Sequence, residues 1–156
     1  MRENITGFIA SSFDIYHPGY ALMLKECKDN CNYLVVALHD NPKTANQDKN
    51  SPIMSLHERF LVLKSIRYID KVILQETYSP LPNLKKVKPS ILMESSSHAE
   101  EDIDKARDYM EFINGEVMII PYYDAQSSTK IKGTGLAVCA VCIWPVIGSI
   151  IFSALP

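Results

Sequence analysis

Apolar residues fall into short continuous runs separated by stretches in which they recur every three or four positions, and the two patterns alternate along the chain. Ile5 to Ala10 is one such run, closed by Ser11-Ser12, and reads as a strand buried on both faces. A loop through Tyr16-His17-Pro18-Gly19 follows. Pro18 then opens a helix to about Asp29, with Ala21, Leu22, Leu24 and Cys27 as its apolar stripe. Tyr33 to Leu38 is a second buried strand, and His39 to Pro52 is polar enough to read as a functional loop. Ser55 and Glu58 form a capping box ahead of an apolar face made by Phe60, Leu61, Leu63, Ile66 and Ile69, which leads to a short strand, Lys71 to Leu74. After a turn region at Pro80 and Pro82, Ile91 to Met93 is a strand, Ala99 to Ile113 an acidic amphipathic helix stopped at Gly115, and Val117 to Ile120 a fifth strand. Strands alternating with helices predict an α/β, Rossmann-like fold: a mostly parallel five-stranded sheet with helices on both faces. Ligands of such sheets bind outside the carboxyl ends of the strands.

The pattern changes after Lys132. Leu136 to Leu155 is a run of twenty residues without a charge, the length needed to span a bilayer, and Lys130 and Lys132 stand just before it. The chain therefore divides into a domain over residues 1–132 and a hydrophobic tail over residues 133–156. The tail is expected to tether the protein to a membrane; a buried last helix, a dimer-forming helix and a tail from an altered reading frame are the competing readings.

Composition narrows the class of protein. Of 156 residues, 47% are hydrophobic and 22% charged, as in an ordinary folded domain. The formal net charge of −2 gives no electrostatic basis for binding nucleic acid. No signal-peptide pattern precedes the first strand, so a cytoplasmic location with reduced cysteines is expected. Cys27 with Cys31, and Cys139 with Cys142, read as core filler rather than a zinc site. His39, His57 and His98 have no spacing that suggests a metal and are assigned to surface or satisfied core positions.

Candidate chemistry gathers in the first loop. Ser11 to Tyr20 combines hydroxyls, a glycine, an imidazole and a helix start, a combination able to hold a polyphosphate. Read alone, His17 is equally a turn histidine, Arg59 a solvated helix arginine, and Ser127-Ser128-Thr129 the N-cap of a last helix.

Four segments in order carry a more specific signal: Ser12-Phe13-Asp14 before His17-Pro18-Gly19-Tyr20; Tyr33-Leu34-Val35-Val36-Ala37-Leu38; Glu58-Arg59 running into Ile66-Arg67-Tyr68-Ile69-Asp70-Lys71-Val72; and Ser127-Ser128-Thr129-Lys130-Ile131-Lys132. Through them the chain up to Lys132 resembles the glycerol-3-phosphate cytidylyltransferase group of the nucleotidyltransferase superfamily. The resemblance implies transfer of CMP from CTP to a small phosphorylated alcohol such as glycerol 3-phosphate, with release of pyrophosphate, magnesium on the triphosphate, and a homodimer. It implies catalytic roles for His17, Tyr20, Arg59 and a loop lysine, Lys49 or Lys43. It implies nucleotide contacts from Ser11, Ser12, Phe13, Asp14, His17, Gly19, Tyr20, Ser127, Ser128 and Thr129.

Three positions depart from the family pattern. Tyr20 stands where the second histidine of H-x-G-H belongs, Tyr122 where a late arginine belongs, and Glu94-Ser95 where relatives show Gly-Asp or Gly-Glu. Tyrosine brings no positive charge, and charge-assisted hydrogen bonds are about twice as strong as neutral ones. The alternative to an enzyme is thus a catalytically weakened nucleotide-binding or scaffolding relative.

Overall fold

The computed structural model describes residues 4–41, 51–96, 100–123, 125 and 127–133. The tail beyond Gly133, with Cys139 and Cys142, and the loop positions Lys43 and Lys49 and His98 lie outside the described residues. Five strands are present: β1 (Thr6–Ser11), β2 (Tyr33–His39), β3 (Lys71–Gln75), β4 (Ile91–Ser95) and β5 (Glu116–Ile120). They form one sheet in the order β3-β2-β1-β4-β5, and all four pairings are parallel. Crossovers are made by helices, among them α1 (Pro18–Asp29), α2 (Leu56–Lys64), α3 (Leu81–Val87) and α4 (Glu100–Phe112), and α5 (Ser128–Gly133) follows the last strand.

The middles of the strands are apolar because each face of the sheet meets a layer of helix. On one face Ile9, Leu34, Val36, Leu38 and Met93 pack with Leu24 and Cys27 of α1 and Leu63 of α2. On the other, Phe8, Val35, Ala37 and Leu92 pack with Leu84 of α3 and Ala106 and Met110 of α4. Neighbours such as Phe8 and Ile9 go to opposite layers, the period-two alternation of a strand in a sheet covered on both faces.

Four local expectations are corrected. The Pro80–Pro82 region is not merely a turn: it opens α3, with Pro80 as N-cap and Pro82 within the first turn. Proline is compatible there because the first helical N–H groups have no intrahelical partner to lose. In α2, the capping box forms as expected, Glu58 N–H donating to Ser55 Oγ and Ser55 N–H to Glu58 Oε2. Its inward positions, however, are Arg59 and Leu63, while Phe60 and Leu61 are 37% and 54% exposed. Leu22 of α1 is likewise exposed. Finally, the left-handed residue that ends α4 is Asn114 (φ 56°), not Gly115. Gly115 serves close approach instead: its N–H donates to Met110 O at 2.7 Å, and a Cβ there would stand 3.1 Å from Pro89 O and 2.5 Å from Met110 Cε.

Candidate functional site

A cavity of about 630 Å³ opens at the carboxyl ends of the strands, where parallel sheets bind ligands. Its floor is the loop between β1 and α1. Two residues of that loop, Phe13 and Ile15, hold positive φ angles of 46° and 52°. Such conformations cost free energy in non-glycine residues and persist where surrounding contacts impose them. Here the imposing contacts are visible. Phe13 is buried in the core, and the Asp14 carboxylate accepts Ile53 N–H at 2.9 Å and Met54 N–H at 3.0 Å, and pairs with Lys132 Nζ at 2.6 Å. The Asp14 carbonyl accepts the Ser128 hydroxyl. Asp14 thus ties together the first loop, the segment ahead of α2, and α5.

Of the residues expected to meet a nucleotide, Ser11, Ser12, Asp14, His17, Gly19, Tyr20, Ser127, Ser128 and Thr129 all line this cavity. Phe13 does not; it lies beneath the loop, packed with Tyr20 at a ring separation of 5.0 Å. Ser127 also caps α5, accepting Lys130 N–H at 3.1 Å. The three departures, Tyr20, Tyr122 and Glu94-Ser95, face the same cavity.

His17 is the N-cap residue of α1, its carbonyl accepting Tyr20 N–H and Ala21 N–H. Its imidazole stacks on Tyr20 with ring centroids 4.3 Å apart. Nδ1 is buried and has no hydrogen-bond partner among the described residues. Burial lowers the His17 pKa, so the ring is held neutral at pH 7.

Arg59 occupies a different place from the one its resemblance implies. It is 2% exposed and does not line the cavity. Its Nε donates to Met54 O at 3.1 Å, Nη1 to Ser12 O at 2.9 Å and His39 O at 2.6 Å, and Nη2 to Asp40 O at 2.5 Å. The planar fork is spent on carbonyls beneath the site, which makes Arg59 a positioning residue for the floor.

Lys132 is a cavity-lining side chain to which sequence reasoning assigned no site role. It lines the cavity, pairs with Asp14, and donates to Ser51 O at 3.2 Å. The signal was available, since Ser128 and Lys132 are four apart and so share one face of α5. His39 and Gln75 also line the cavity, at the ends of β2 and β3, although His39 reads from sequence as a surface or core histidine.

The titration of the floor gives a testable pH profile. Burial alone would raise the Asp14 carboxyl, but the Lys132 hydrogen bond and charge and the Met54 and Ile53 N–H groups outweigh it and hold the carboxyl below its ordinary range. A depressed carboxyl contributes stability that is complete above its unfolded pKa and is lost as pH falls through the folded value. His17, depressed for the opposite charge type, likewise contributes fully above its unfolded value near 6.5 and loses that contribution as pH falls below it. The urea midpoint should therefore be flat near neutrality, decline first below about pH 6.5 and again below about pH 4. His17→Ala should flatten the first decline and leave the second; an unchanged first decline in that variant would mean that His17 is not its source.

Comparison with known proteins agrees with this geometry. A family model described as cytidylyltransferase-like matches residues 8–134. A protein of Hyphomonas neptunium called bifunctional protein HldE is 32% identical over 126 residues, covering 80% of this chain and 26% of that protein. An ethanolamine-phosphate cytidylyltransferase of Dictyostelium discoideum is 37% identical over 73 residues, 46% of this chain and 20% of that one. The chain thus spans about a quarter of the length of the curated relatives it matches. Among solved structures, a lipopolysaccharide core biosynthesis protein of Thermoplasma volcanium superposes with a TM-score of 0.63 at 22% identity, covering 78% of this chain and 98% of that one, a likeness of fold. With the family match running from within β1 through α5, the chain belongs to the cytidylyltransferase-like family.

Proposed function

We propose that the chain is a nucleotidyltransferase that joins CMP from CTP to the phosphate of a small phosphorylated alcohol such as glycerol 3-phosphate. The observation that carries this reading is the convergence of His17, the Ser127–Thr129 hydroxyls and Lys132 on one cavity at the carboxyl ends of a parallel sheet. An acceptor phosphate oxygen attacks the α-phosphorus, the α–β anhydride bond breaks, and pyrophosphate leaves with the bonding electrons. No covalent protein intermediate is needed, so the protein's contribution is positioning and charge stabilisation. The neutral His17 imidazole is suited to donate an N–H to a phosphate oxygen, with the N-terminal turn of α1 beside it. Lys132 lines the same cavity while paired with Asp14, so its ammonium would have to be shared between that carboxylate and a bound phosphate.

Magnesium fits as a companion of the triphosphate rather than as a resident ion. Asp14 is already engaged, and among the described residues no group of three or more His, Cys, Asp or Glu stands close enough to hold a metal. When bound, the ion would neutralise triphosphate charge, while the protein's own groups bind and orient the nucleotide.

Tyr20 and Tyr122 favour a second reading, a relative that binds nucleotide but turns it over weakly, since both sit in the cavity without a formal charge. Thermal unfolding and pyrophosphate release separate the two. CTP with magnesium at 100 times its dissociation constant should stabilise the folded state by about 2.7 kcal/mol, and ATP run alongside tests the choice of donor. Stabilisation with pyrophosphate release when glycerol 3-phosphate is added supports the enzyme, and stabilisation without release supports the binding module. No stabilisation by any nucleoside triphosphate at millimolar concentration removes both.

A further inference from the structure

Away from the cavity, hydrophobic surface is left open where α2 meets the edge of the sheet. β3 is an outermost strand, with β2 on one side and no strand on the other among the described residues. Beside it a groove of about 280 Å³ is lined by Leu38, Leu56, His57, Phe60, Ile73 and Leu74. Arg59 and Leu63 take the inward positions of α2, and Leu56 and Phe60, four apart, share the face that overhangs the groove. Leu74 is 42% exposed on the other wall, and Ile53, just ahead of α2, is 53% exposed. Leu61, next to Phe60, is exposed as well. Apolar side chains scattered singly over a surface need no explanation, but several gathered on one groove at a strand edge mark a surface that something covers.

The same chain carries a segment that suits it. Leu136 to Leu155 contains no charge, and the domain hands this segment over close to the groove. Lys132, next to the last residue of α5, pairs with Asp14 and donates to Ser51 O at 3.2 Å. Asp14 in turn accepts the N–H groups of Ile53 and Met54. The chain therefore leaves the domain beside the segment that leads into α2. The nine residues of α2 span roughly 13 Å, and even a wholly helical run from Leu136 to Leu155 would span roughly 30 Å, so reach is not limiting. The groove lining offers no carboxylate, lysine or arginine, so an uncharged segment laid there strands no ion. A second copy of the domain would cover the groove but leave both apolar tails in water. A bilayer would take the tail as one straight helix, and Pro145 near its middle works against that.

We propose that the Leu136–Leu155 segment folds back on its own domain and covers the groove between α2 and the β3 edge. Trp144, the one tryptophan of the chain, lies within that segment and reports on it directly. In the full chain, in buffer without vesicles and at concentrations where light scattering gives a monomer, Trp144 emission should be blue-shifted from its position in urea and weakly quenched by acrylamide. Phe60→Lys and Leu74→Lys should each move the docking equilibrium toward the open form by roughly tenfold, read as a red shift and stronger quenching. Leu22→Lys, at an exposed apolar position of α1, should change neither. Both groove positions are partly exposed and they lie on different elements, so one variant remains if circular dichroism shows the other to be unfolded. Emission equal to that in urea, shielding untouched by the groove variants, or shielding lost on dilution together with a dimer overturns the inference. Shielding gained only on addition of phosphatidylcholine vesicles overturns it in favour of a membrane anchor.

Discussion

Replacing Arg59 with methionine is expected to lower the urea midpoint by an amount equivalent to about 3–4 kcal/mol, with the slope of the transition unchanged. The size follows from what the guanidinium does. Four carbonyls, those of Met54, Ser12, His39 and Asp40, converge on it from three separate segments, and it is 2% exposed. Methionine fills much of the volume but satisfies none of the acceptors, and each buried polar group left without a partner costs about 1–3 kcal/mol before relaxation. Arg59→Lys should fall between, since an ammonium carries three donors on a point rather than five on a planar fork. A solvated helix arginine would give a change near zero. A variant that unfolds at the wild-type urea concentration yet no longer responds to CTP would show that Arg59 reaches the nucleotide and that its placement beneath the floor is not its function.

That role was not legible in the sequence, although the fold largely was. Strands buried on both faces announce themselves as unbroken apolar runs, so β1 and β2 were readable to within a residue. The capping box fixed the start of α2 in the same local way, because Ser55 and Glu58 need only each other. Where tertiary placement decides, the reading failed. An arginine and two large apolar residues in α2 look like a polar outer face and an apolar inner one, yet Arg59 turns inward because three loops bring carbonyls to it, and Phe60 and Leu61 face outward. Proline within a helix's first turn looks like a turn signal when the helix is only seven residues long, which concealed α3 and with it Asn83, the residue that anchors Gln75. The candidate site shows the same division. Residues within one loop or one helix turn, such as Ser12, His17 and Ser127–Thr129, were brought together by the family resemblance and do line one cavity. Lys132, His39 and Gln75 reach it from three elements whose adjacency depends on the strand order β3-β2-β1-β4-β5.

His17→Ala is expected to reduce CTP turnover by about 10²–10³, the usual consequence of losing one donor aimed at developing charge, with little loss of stability at neutral pH. The second half of that expectation comes from the environment of the ring. Its Nδ1 has no partner among the described residues, so removing the imidazole breaks no buried hydrogen bond there. What is lost in packing is chiefly the stack on Tyr20, whose ring also meets Phe13 at 5.0 Å and Tyr16 at 6.3 Å. Tyr20 is the informative companion. If its role is to brace His17, Tyr20→Phe keeps every ring contact and should leave turnover near wild type, whereas Tyr20→Ala should lower it by letting the imidazole move. If instead the phenol donates to a phosphate oxygen, Tyr20→Phe should itself cost about 10²-fold. Tyr20→His tests the departure from the family motif directly: a second imidazole can carry a proton near pH 7 where a phenol cannot, so turnover should rise in a weakened relative and the gain should grow as the pH is lowered. Silence of Tyr20→Phe, Tyr20→Ala and Tyr20→His together, in a protein that still turns over CTP and still depends on His17, would show that the helix position beside Gly19 neither braces the imidazole nor meets the phosphates.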